Sequence, residues 1–275
     1  MVRPAVPDEH VFARVGGVAV GPTLAAVQVA SPRAGADLGV LRRAAALAAP
    51  DVLAATKTLP LSEALQPLVP GGALQRGTTV GVSGSGSTTL ALALGVATSA
   101  AGSWLAVAGL PALGLAAADD VGICLQRLLV VADSPDGSWA TMVAALLDAV
   151  DLVVAAPPAR LGAGDARRLE ARARERGAVL CTVGDAWPRS PDVRLTVTST
   201  GWSGPTGTGS GRLEARRVEV LAGGRGAAAR ERCHHLWLPG PDGAVTAVTG
   251  PAAFGPAVTG PAVAGPARPD LAATG

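Results

Sequence analysis

Residues 78–97 read Thr78-Thr79-Val80-Gly81-Val82-Ser83-Gly84-Ser85-Gly86-Ser87-Thr88-Thr89-Leu90-Ala91-Leu92-Ala93-Leu94-Gly95-Val96-Ala97. A β-like run leads into a Gly/Ser loop, and an apolar, helix-like stretch follows. Gly81, Gly86 and Thr88 fall at the spacing of G-x-x-x-x-G-K-[ST]. In that loop the glycines let backbone N–H groups wrap phosphates, the lysine reaches the β- and γ-phosphates, and the hydroxyl binds Mg²⁺. Ser87 stands at the lysine position. Phosphoryl transfer is dominated by positioning and electrostatics, so the loss of that cation removes the main charge partner of the transferred group. Gly81, Gly84, Gly86, Ser87, Thr88 and Thr89 therefore form a nucleotide site in degenerate form. No catalytic residue and no cofactor, ATP with Mg²⁺ included, are expected there. A Gly/Ser hexamer is also what a plain surface turn looks like. The strand before it and the helix after it favour the phosphate-loop reading.

Outward from the loop, strand and helix alternate. Thr78–Val82 is a strand, Thr88–Ser99 a helix, Trp104–Ala108 a strand, Ala116–Cys124 a helix and Arg127–Val131 a strand. Ser138 can cap a helix over Trp139–Ala149, in which Val143, Leu146, Leu147 and Val150 form one apolar face. Leu152–Ala155 reads as a buried strand, Asp165–Arg176 as an Arg-rich helix closed by Gly177, and Ala178–Val183 as another strand. This rhythm predicts an α/β fold with a mostly parallel sheet flanked by helices. Beyond Asp185, Val193–Thr198 and Arg212–Leu221 alternate like antiparallel strands across the loop Gly201–Gly211, and His234–Pro239 reads as a last edge strand. Gly77–Ala118 contains no charged residue, but its glycines and Pro111 cut it into strand- and helix-length pieces. It reads as buried core and not as a membrane span.

Residues 1–36 carry apolar runs broken by Gly21-Pro22 and Ser31-Pro32 and read as an irregular extension. A helical lead-in covers 37–70, with a helix over Asp37–Ala49 stopped at Pro50 and a second helical segment over Leu59–Leu68 before the turn Pro70-Gly71-Gly72. Residues 71–240 make the core. From Gly250 the chain repeats Gly-Pro without a three-residue period, which predicts a disordered tail over 250–275. With 275 residues, 49% of them hydrophobic, one substantial core is the expectation. Lys57 is the only lysine among 23 Lys and Arg residues, a skew that fits a GC-rich coding sequence. The net charge of +2 gives no argument for nucleic acid. Cys124, Cys181 and Cys233 are odd in number and widely spaced, which suits reduced thiols, and the start lacks the order of a signal peptide. The expected location is the cytoplasm.

The order of helical lead-in, Pro-Gly-Gly turn, strand, phosphate loop, β/α units and closing antiparallel strands resembles the RecA-like superfamily. Within it, the phrase from Leu59-Pro60-Leu61 through Pro70-Gly71-Gly72-Ala73-Leu74 to Thr78-Thr79-Val80 is similar to the actinobacterial ImuA-prime proteins. Those are RecA-like accessory factors of a DNA-damage mutagenesis complex. The resemblance covers residues 37–240 and implies a RecA-like fold with a role in DNA repair, the SOS response and translesion synthesis. The implied partners are an ImuB-type inactive Y-family polymerase and, through it, an error-prone C-family polymerase and the sliding clamp. It implies no membrane contact, allows self-association, and leaves direct DNA contact open. The segment before the core commonly packs on a neighbouring subunit in RecA-like proteins, which makes Leu41 and Leu47 the candidate partner-binding residues. The alternative is that their helix covers its own sheet.

The departures from the superfamily are as informative. Its catalytic glutamate follows the second core strand, where Val107-Ala108-Gly109-Leu110-Pro111 has no carboxylate. Its second acid ends a strand facing the loop, where Ala155-Ala156 runs into Pro157-Pro158 and Asp151 lies at the wrong end. With Ser87, three catalytic positions are vacant, so a pseudo-ATPase is expected. The DNA-contacting loops expected after Ala156 and Asp185 are short. A weak ATPase that borrows an arginine from elsewhere, and a damage-induced inhibitor of cell division, are the alternatives. Cys233-His234-His235 offers metal-binding atoms, but zinc wants three or four ligands and no C-x-x-C or H-x-x-x-H element supplies the rest, so no metal site is expected. Arg167, Arg168, Arg172, Arg174 and Arg176 interleave with Glu170 and Glu175 and read as a solvated helix face. Ser87 has neither a nearby histidine nor a G-x-S-x-G elbow, which excludes a serine hydrolase.

Overall fold

The computed structural model describes residues 57–131, 139–204 and 212–248. The expected extension 1–36, the helix over Asp37–Ala49 with Leu41 and Leu47, the Ser138 cap and the tail 250–275 lie outside these residues.

Two short strands, β1 (Thr58–Leu59) and β2 (Leu74–Gln75), pair antiparallel beside the main body. The uncharged, β-branched and aliphatic runs then build β3 (Thr79–Gly84), β4 (Leu105–Ala108), β5 (Leu128–Val131), β6 (Leu152–Ala155) and β7 (Val179–Val183), all mutually parallel. β8 (Val193–Ser203) joins β3 in parallel, and β9 (Ala215–Gly224), β10 (Arg232–Trp237) and β11 (Thr246–Ala247) follow antiparallel. Their spatial order is β11-β10-β9-β8-β3-β7-β6-β4-β5.

Helices α1 (Ser87–Ala93), α2 (Val96–Ala100) and α3 (Leu115–Val121) lie on one face, and α4 (Trp139–Leu147) and α5 (Ala163–Arg176) on the other. Side chains of a strand alternate between faces, so Leu105 and Val107 join the first core while Ala106 and Ala108 join the second. Apolar residues at both parities are what a parallel sheet covered on both faces requires. A mostly parallel sheet flanked by helices, with antiparallel strands at its C-terminal end, is the fold expected above.

Several boundaries differ. The helix expected over Thr88–Ser99 is interrupted at Leu94-Gly95, where a Cβ on Gly95 would run into the tip of the buried Leu105 side chain. The segment Leu59–Leu68 is not one helix. Leu59 pairs in β1, and a 3₁₀ helix holds Glu63–Leu68, with Pro67 inside it barring a regular α-helix. Leu59, Leu61, Leu65 and Leu68 are buried in the main core, so the packed unit begins before residue 71. It also runs past 240, because β11 pairs outside β10 and replaces it as the edge. The hairpin strands outrun their expected ends, β8 continuing beyond Thr198 to Ser203 through an irregularity between Ser199 and Gly201. Among the described residues no helix is long and apolar enough to cross a membrane.

Candidate functional site

In a phosphate loop the residues between strand and helix are free to wrap a ligand. Here Gly81–Gly84 stay in β3, with Gly81 opposite Arg194 and Gly84 opposite Val197 of β8. Only Ser85 and Gly86 separate the strand from α1. The Ser85 N–H donates to the Val197 carbonyl at 3.1 Å, so an amide expected to face phosphate is committed to the sheet. The glycines serve contacts within the chain. At Gly84 (φ +88°) a Cβ would run into the Val197 carbonyl, and at Gly86 (φ +91°) into the guanidinium of Arg216.

Arg216 was not anticipated from the sequence. It enters from β9 on the parity of Val218 and Val220, an arginine among inward-facing apolar residues, which is its one sequence signal. It is 8% exposed, its Nε donates to the Leu238 carbonyl at 2.9 Å, and its guanidinium lies 5.2 Å from the centre of the Trp202 ring. Burial pushes its pKa down, yet a guanidinium stays a cation in proteins. A positive charge therefore sits against the turn from which the motif lysine is missing, held between Gly86 and the half-exposed indole of Trp202.

Thr88 and Thr89 border a cleft of about 760 Å³ beyond the carboxyl ends of β3 and β4, the side on which open α/β sheets bind ligands. The β4 end contributes no acid. Asp120 of α3, Glu214 before β9 and Asp242 after β10 line the cleft instead, with Arg212. These carboxylates do not converge on one ion. Among the described residues the one set of three donors lying within 4.8 Å of one another is Glu219, Cys233 and His235. Sequence spacing supplied two of those donors and hid the third, which arrives by cross-strand pairing of β9 with β10. His234 faces inward, away from them; burial and then Arg232 and His235 push its pKa down, and its Nε2 is buried without a partner among the described residues.

Asp151 precedes β6, at the end of the strand away from the turn. It accepts a hydrogen bond from the Trp104 N–H at 3.2 Å and pairs with Arg76 at 2.7 Å, a structural role. On α5, Arg172 and Arg176 reach Asp148 at 2.6 and 3.1 Å, and Arg168 pairs with Asp165. Glu170 departs from the solvated-face expectation. It is 2% exposed and paired with Arg189 at 3.0 Å, because its position on α5 turns toward the sheet beside Leu169 and Ala173.

Residues 67–189 match the family described as the MT3502 N-terminal domain. The chain is 35% identical over 154 residues to the uncharacterized protein Rv3395c of Mycobacterium tuberculosis (strain H37Rv), an alignment covering 54% of this chain and 74% of that protein. The crystal structure of the RadB recombinase matches with a TM-score of 0.51 at 16% identity, over 68% of this chain and 97% of the RadB chain. At that identity the likeness is one of fold, and it makes the sheet RecA-like.

Proposed function

This chain belongs to the family of the mycobacterial protein Rv3395c, and we propose that it acts in the cytoplasm as a catalytically empty RecA-like adaptor of DNA-damage-induced mutagenesis. The observation that carries the non-catalytic part is the turn after β3. Its first four motif residues are strand, Ser87 replaces the lysine, and Arg216 fills the space against Gly86. The ImuA-prime resemblance supplies the partner: an ImuB-type inactive Y-family polymerase, and through it the error-prone C-family polymerase and the clamp. Purified protein is expected to show no ATP hydrolysis and to bind ATP no tighter than about millimolar, since the remaining backbone contacts barely offset association costs. Turnover at about 1 s⁻¹ or faster would sink the adaptor reading. Co-purification with the ImuB-type protein tests the partner, and its failure with both proteins folded would remove the mutagenesis assignment.

One observation favours a second reading, a weak ATPase. Arg216 brings a cation to the turn from elsewhere in the chain, and three carboxylates line the adjoining cleft. If any turnover is found, Arg216→Ala should abolish it under this reading and leave it unchanged if the activity is a contaminant.

A further inference from the structure

The outward face of the antiparallel strands carries a set of side chains that the reading above does not use, and we propose that Glu219, Cys233 and His235 form a binding site for a zinc-type divalent cation. Cys233 and His235 are two residues apart on β10 and so share a face. Glu219 on β9 is the direct cross-strand partner of His235, a pairing that sets Cβ atoms about 4.5–5.5 Å apart. The sulfur, imidazole nitrogen and carboxylate oxygen lie within 4.8 Å of one another.

Zinc takes this donor set at bond lengths of about 2.0–2.3 Å, which puts tetrahedral donors roughly 3–4 Å apart. Cys233 and His235 are exposed, so their side chains have room to rotate toward that spacing. The backbone itself is fixed. β10 is paired on one side with β9 and on the other with β11, and the His235 carbonyl accepts the Val248 N–H at 3.1 Å. Thiolate and imidazole select zinc or a similar borderline-soft ion over Mg²⁺ or Ca²⁺. A dication also removes the repulsion that a Cys233 thiolate and the Glu219 carboxylate would exert on each other. Three protein ligands leave the fourth position to water, as in open zinc sites.

The test is a titration of the full, chelator-treated chain with Co²⁺, followed by competition with Zn²⁺. A single site should appear, with a thiolate-to-cobalt charge-transfer band that Zn²⁺ bleaches. Cys233→Ser should abolish the band, while Cys124→Ser, which removes the other partly accessible thiol, should leave it intact. His235→Ala and Glu219→Ala should each weaken binding by more than the roughly 10–100-fold that loss of a supporting contact costs. The side chains lie on an open sheet face, so metal-free variants should melt like the parent, and that comparison identifies any variant that fails by unfolding. The proposal is overturned by absence of the band at saturating Co²⁺, by a band that survives Cys233→Ser, or by unweakened binding in a folded Glu219→Ala chain.

Discussion

The two halves of the sheet obey different rules. In the parallel half, consecutive residues Val153 and Val154 are both fully buried, one in each core, because helices cover both faces. In the antiparallel half, Val220 is fully buried while its neighbour Leu221 is 41% exposed, because among the described residues only one face is covered. A strand buried on both sides has little room for polar chemistry, since an unpaired buried polar group is expensive. The conspicuous phosphate-loop motif lies in the covered half and has been drawn into the sheet. The inconspicuous groups that could still bind something (Glu219, Cys233 and His235) lie in the half with a free face.

The comparison is sharpest in truncations. Leu152→Ala, at a fully buried position of β6, should destabilise the fold by about 2–5 kcal/mol. Leu221→Ala, on the open face, should stay within about 0.5 kcal/mol of the parent. Urea unfolding measures both. A Leu221 cost approaching that of Leu152 would mean that something in the chain covers the outer face, and the contrast between the halves would fail.

The junction between the halves gives a middle-sized effect. Gly86 and Gly102 have nearly equal φ, +91° and +90°, but a Cβ at Gly102 meets nothing within 4 Å, whereas one at Gly86 meets Arg216. Gly102→Ala should carry only the left-handed penalty of about 1–2 kcal/mol. Gly86→Ala should lose that and more, because Arg216 must abandon its place on Trp202 and Leu238, worth roughly another 1–2 kcal/mol. Equal losses in thermal melts of the two variants would show that Arg216 does not brace the turn.

Most of the fold was legible because the parallel strands are short apolar runs between helical segments, and burial on both faces leaves little ambiguity. What escaped were features set by long-range pairing. The contact of Gly95 with Leu105 of β4, at the interruption of the helix, is one that the apolar run Thr88–Ser99 does not encode. The turn was legible as a motif and misleading as a geometry, since the extension of β3 to Gly84 is imposed by β8. The contact of Arg216 with Gly86 and the partnership of Glu219 with Cys233-x-His235 escaped for the same reason. Each joins residues brought together only by the register of β9 with its neighbours.

The smallest expected effect is the most telling about the turn. Ser87→Lys restores the motif letter at a half-buried position opening α1, where a new cation meets the positive end of the helix and Arg216 nearby. Stability should fall by no more than about 0.5 kcal/mol. ATP turnover should remain at background, because the lysine changes neither the Ser85 N–H committed to Val197 nor the missing carboxylate at the end of β4. The double variant Ser87→Lys with Arg216→Ala goes further, supplying the motif cation while clearing the space against Gly86. It too should stay inactive in a coupled ATPase assay if the strand-like course of Gly81–Gly84 is what closes the cradle. Turnover in the double variant but not in the single one would assign the defect to Arg216 alone, and the turn would then be a blocked phosphate loop and not an absorbed one.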